Sequence, residues 1–176
     1  MQNWFMLTLV GQDQLGIVAR VSTALYEGGC NLGEASMSRL GGNFTMMLMV
    51  NTVLDRDALT ALLEPVAETL QLHVHLDRIE GRLHTHPQPD LRISVYGADR
   101  AGIVACVTRD LAAAGFTVLD LTSDVGGTPD KPFYLMQIEG AATQGLPAVD
   151  AALKRLQQNY GHEIEVSYVP IETLVM

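Results

Sequence analysis

Two stretches carry the residue types that a small zwitterion would need. In the first, Asp13 precedes Gly16, Ile17 and Val18; in the second, Asp99 precedes Gly102, Ile103 and Val104. Each follows a β-branched and apolar run and opens an apolar helical stripe. The start of a helix has backbone N–H groups without intrahelical partners and a partial positive charge. A carboxylate can be held there, and Gly16 or Gly102 in the first turn would let it approach the backbone. An ammonium needs acceptors, which Asp13 or Asp99 can provide. Asn31 adds an amide that both donates and accepts. The same residues also have a plainer reading. Asp13 and Asp99 stand where helix N-caps are expected, Gly16 and Gly102 would serve close packing of helix on sheet, and Asn31 would be a turn residue at a strand start.

Other groups carry less. His73-Val74-His75 and His84-Thr85-His86 put four histidines within fourteen residues. Strand alternation would place His73 and His75 on one face, but no Cys or acidic residue completes a recognisable zinc spacing. Solvated strand and linker histidines are expected. Cys30 and Cys106 fall at different points of the pattern described below, so they read as buried thiols rather than a disulfide framework. The Met46, Met47 and Met49 run reads as a core strand, with an adaptable interface as the alternative. There is no Gly-x-Ser-x-Gly elbow and no phosphate loop. No catalytic residue, metal or cofactor is expected.

Composition narrows the partners. Twenty acidic residues against eleven basic ones give a net charge of −9. Such a field repels phosphate backbones, and the basic residues are scattered, so direct nucleic-acid binding is not expected. No apolar run reaches the ~18 residues of a membrane span. Met1-Gln2-Asn3-Trp4 lacks the basic start of a signal peptide. The expectation is a cytoplasmic protein with no membrane association.

The elements that must position these residues come as a repeat. Gly11 to Ala19 overlays Gly97 to Ala105 at an offset of 86 residues, with Gly, Asp, Gly, Ile, Val and Ala coinciding. Val21, Leu25 and Gly29 then fall on Val107, Leu111 and Gly115. Asn3 to Val10 and Leu91 to Tyr96 read as strands. Ile17, Val21 and Leu25 form one helical stripe, repeated by Ile103, Val107 and Leu111. Gly28-Gly29 and Gly115 stop these helices. Asn31 to Leu40 and Asn43 to Thr52 flank a Gly41-Gly42 hairpin turn. Their counterparts, Phe116 to Val125 and Phe133 to Glu139, flank a longer loop over Gly126 to Pro132. Helices over Asp57 to Leu70, capped by Asp55, and Leu146 to Tyr160 follow. Strands over Leu72 to Ile79 and Glu163 to Val169 close the two copies.

The order is β-α-β-β-α-β, twice. It predicts an α+β chain of two ferredoxin-like modules, each a four-stranded antiparallel sheet with two helices on one face. The expected organisation is a first module over 1–80, a linker over 81–90, a second module over 91–170 and a tail over 171–176. Edge strands of such sheets can pair with another chain.

With Asp-x-x-Gly-Ile-Val at the first strand–helix junction of each copy, the chain resembles the ACT domain, a small regulatory module that binds amino acids. A freestanding pair of such modules resembles the glycine cleavage system transcriptional repressor family. The resemblance implies a non-enzymatic regulator that senses glycine or a similar small amino acid and acts through a protein partner, such as a transcription factor. It implies ligand contacts at Asp13, Gly16, Ile17 and Asn31, and at Asp99, Gly102 and Ile103, with the Asn reaching across a module interface. The counterpart of Asn31 is Thr117, so the first copy is expected to bind better. Homo-oligomerisation is expected. The alternative is an interaction module that uses its sheet edges without a ligand.

Overall fold

A computed structural model describes residues 2–80, 87–98, 101–128 and 131–171. Asp99, His84 and His86 lie outside the described residues. The chain divides into two units, residues 1–84 and 85–176.

In the first unit the order is β1 (Asn3–Gln12), α1 (Ile17–Glu27), β2 (Asn31–Leu40), β3 (Asn43–Thr52), α2 (Arg56–Leu70) and β4 (His73–Ile79). The sheet order is β2-β3-β1-β4, antiparallel throughout. Alternation along β1 sends Phe5, Leu7 and Leu9 inward, each 2 % exposed or less. They meet Ile17, Val21 and Leu25 of α1 and Leu59 and Leu63 of α2 in one core. Burying each such side chain stabilises the unit by about 1.5–3 kcal/mol.

The second unit repeats this with β5 (Leu91–Ala98), α3 (Ile103–Ala113), β6 (Phe116–Thr128), β7 (Lys131–Ala142), α4 (Leu146–Tyr160) and β8 (Ile164–Pro170), plus a 3₁₀ turn before β8. Its sheet order is β6-β7-β5-β8. Ile93 and Val95 replace Leu7 and Leu9 against Ile103, Val107 and Leu111. Each unit is therefore a ferredoxin-like four-stranded sheet with two helices.

Three local expectations change. Asp13 does not cap α1. The N-cap is Gly16, at φ 87, with no side-chain cap bond, and Gly102 does the same for α3 at φ 89. A capping side chain must sit at the N-cap itself to reach the second or third amide; Asp13 lies three residues too early. Nor do Gly16 and Gly102 serve close packing, because a Cβ at either would meet nothing within 4 Å. They are needed for the left-handed backbone. The loop expected over Gly126 to Pro132 is mostly strand: Gly126, Gly127 and Thr128 pair with Phe133, Pro132 and Lys131. Gly126 permits this because a Cβ there would stand 2.5 Å from the Phe133 ring. Asp55, by contrast, caps α2 through Ala58 N–H at 2.9 Å.

Edge strands β2 and β6 are unusual in their exposure. All ten residues of β2 are exposed. In β6 Phe116 is buried and Gly126 partly so; the rest is exposed.

Candidate functional site

The junction after β1 is held by the hairpin beside it. Asp13 N–H donates to Gly42 O at 2.9 Å, and Arg39 Nε lies 3.2 Å from Asp13 Oδ2. The other carboxylate oxygen, Oδ1, is buried and has no hydrogen-bond partner. Gly16 O accepts the first intrahelical bond, from Arg20 N–H at 3.0 Å. The N–H groups of the first turn therefore have no intrahelical acceptor. Ile17 is 2 % exposed and belongs to the core, so only its backbone can face a ligand. In the second unit Gly102 accepts from Cys106 N–H at 3.0 Å, and Ile103 is likewise buried.

Asn31 is not at this end. It pairs across the sheet with Asn51, which pairs in turn with Trp4, at the start of β1. Asp13 is tied to the turn after Leu40, at the far end of β2. At a rise of ~3.3 Å per residue, a ten-residue strand separates the two ends by about 30 Å. Within one copy the structure brings Asp13, Gly16 and Ile17 together and leaves Asn31 apart.

Sequence reasoning missed Asn51. It is 7 % exposed, and its Nδ2 is buried with no acceptor. Among the described residues, Asp13 Oδ1 and Asn51 Nδ2 are the two buried side-chain atoms left without a hydrogen bond. An unpaired buried donor costs about 1–3 kcal/mol. The available signal was an amide closing the apolar run Met46 to Val50. Its cover is Trp4. A Cβ at Gly33 would lie 3.2 Å from Trp4 Cζ3 and 3.2 Å from Met49 Cβ. Since β3 lies between β1 and β2, the indole must reach across β3, on the face opposite the core.

The remaining candidates do not converge. His75 Nε2 is 3.1 Å from Asp77 Oδ2, both exposed. Among the described residues no group of three or more His, Cys, Asp or Glu could hold a metal. Both cysteines are free; Cys30 is buried, but Cys106 is only half-buried, because it stands off the α3 core stripe. Met46 and Met49 are buried, whereas Met47 is about half exposed. A cavity of about 470 Å³ lies between α1 and α2, lined by Ala19, Thr23, Pro65 and Val66 among others, and no candidate ligand residue lines it. No described helix is long and apolar enough to cross a membrane.

A family model for the ACT domain matches residues 3–77. Over 77 residues the chain is 38 % identical to a UPF0237 protein of Listeria monocytogenes, covering 42 % of this chain and 86 % of that one. The chain belongs to the ACT-domain family. Two solved structures share the two-module fold. An unknown protein from Galdieria sulphuraria matches at TM-score 0.78, over 98 % of this chain and 100 % of that one, with 23 % identity. A candidate glycine cleavage system transcriptional repressor matches at TM-score 0.66, over 98 % and 99 %, with 16 % identity. At such identities the likeness shows the tandem ACT fold.

The two ACT modules can then be aligned by strand register. Thr117 pairs with Ala141 where Asn31 pairs with Asn51. Asp90 stands where the first module has Trp4, and its carboxylate accepts from Ala142 N–H at 3.0 Å. Leu119 stands for Gly33. All four residues of the Asn31 end differ.

Proposed function

We propose that this ACT-domain protein is a non-enzymatic regulator that senses a small amino acid, glycine or one close to it in size, through its first module. The observation that carries this is the split placement of complementary groups. A helix start with an unpaired carboxylate oxygen lies at one end of β2, and two amides lie at the other. The strand between them is an open edge, exposed over its whole length. Two copies pairing β2 to β2 antiparallel would form an isologous contact, in which the Asp13 end of one copy meets the Asn31 end of the other. Each of the two equivalent sites would offer helix-end N–H groups and an acceptor to a zwitterion. Ligand would then favour the paired arrangement by as much as it binds that arrangement better than the separated chains.

The output acts through a protein partner, such as a DNA-binding transcription factor, because a chain of net charge −9 is a poor ligand for DNA. The likeness to a candidate glycine cleavage repressor supports this direction. A cytoplasmic setting fits two free cysteines. Calorimetry against the twenty α-amino acids is the test. Saturable binding of one small amino acid is expected, and no heat at millimolar concentration for any of them would sink the sensor reading.

A second reading is favoured by Thr117, Ala141 and the exposed β6 of the second module. There the module would bind a protein through its sheet edge without a ligand. Capture of the same partner in the presence and absence of every amino acid would support it.

A further inference from the structure

We propose that Asn51 is a ligand-binding residue of the first module, its Nδ2 donating to the carboxylate of the bound amino acid. The inference rests on the amino-acid-sensing reading above and extends it to a residue outside the strand–helix junction. Four observations converge. The side chain is 93 % buried, and among the described residues its donor has no acceptor. Nothing in the fold requires it, since the second module forms the same strand pairing with Ala141. Its direct cross-strand neighbour is Asn31, whose side chain shares its face, at the ~4.5–5.5 Å Cβ spacing of such pairs. Its other cross-strand neighbour is Trp4, whose indole reaches over β3 to Gly33 on the same face.

An N–H donor demands an acceptor. The strongest one on an α-amino acid is its carboxylate, and a hydrogen bond to it is charge-assisted and gains from a dry surrounding. A carboxylate accepts at both oxygens. One can therefore take Asn51 while the other meets the Asn31 amide on the same face. The residue is then a functional group kept at a cost to the unliganded protein, a common pattern at binding sites.

The test uses the full chain and the amino acid that calorimetry identifies. Asn51→Ala copies the second module, and Asn51→Asp keeps the shape but removes the donor. Alanine is expected to weaken binding about tenfold or more, while the urea midpoint of the ligand-free protein stays level or rises. Aspartate is expected to weaken binding further, because it sets a carboxylate against a carboxylate. Unchanged affinity in Asn51→Ala, with wild type binding normally, overturns this proposal alone. Unfolding of Asn51→Ala also overturns it, by making the amide structural. Wild type that binds no amino acid overturns the sensing reading and this proposal with it.

Discussion

The two modules keep the same frame by different means and keep different surfaces. At the strand–helix junction they agree closely: Gly16 and Gly102 share a left-handed backbone near φ 90 and start helices of eleven residues each. In the core they exchange volume. Val50 faces Phe5 across β1 in the first module, where Gly140 faces Leu91 in the second. The smaller residue there is matched by a larger one on the next strand start, Phe116 in place of Cys30, with Phe116 4 % exposed. At the Asn31 end they part altogether. Trp4, Gly33, Asn31 and Asn51 become Asp90, Leu119, Thr117 and Ala141. The comparison teaches which positions answer to the fold and which to something else. Backbone geometry and total core volume are shared, because packing density allows little departure from either. The amides are not shared, so folding does not explain them.

Three sets of substitutions would break or sharpen this comparison. The largest effect is expected at Gly140. A Cβ there would stand 2.1 Å from Thr117 O and 2.6 Å from Phe116 Cζ, so Gly140→Val should cost about 3 kcal/mol in urea unfolding. Adding Phe116→Cys should recover part of that loss, as coupled neighbours do. Full additivity would mean that the volume exchange is not real. Next come Gly16→Ala and Gly102→Ala. Each forces an alanine into a left-handed conformation in open space, so each should cost about 1–2 kcal/mol, and the two costs should match. A much larger cost at one would reveal a packing role that the geometry does not contain. The smallest is Asp55→Ala, which removes a cap bond of 2.9 Å and should cost about 1 kcal/mol. Its counterpart α4 starts at Gly145 with no side-chain cap, so Gly145→Ala should lose no cap bond, only the freedom of a positive φ.

Much of the frame was legible in the chain itself. The repeat, the element order, β2 and β3 to the residue, α4 to the residue and the Asp55 cap all followed from periodicity and turn chemistry. The misreadings were local. Asp13 looked like a cap because Asp before an apolar stripe is one of the commonest helix starts. The left-handed Gly16 displaced the start by three residues. The long hairpin looked like a loop because Gly, Pro and Asp are breakers in sequence, yet Gly126 and Gly127 allow a close strand pairing.

Sequence alone determined the fold and the first half of the candidate site, since Asp13, Gly16 and Ile17 are neighbours along the chain. Only the tertiary structure decided the rest. Periodicity places a residue on a face but does not say which strand lies beside it. The pairing of β2 with β3 set Asn31 beside Asn51, and the pairing of β3 with β1 set Trp4 beside Asn51 from the other side. The same pairings left Asn31 at the opposite end of a strand from Asp13 and left one carboxylate oxygen and one amide buried without partners. Register and burial are properties of contacts distant in sequence, and those contacts define what a ligand would have to satisfy.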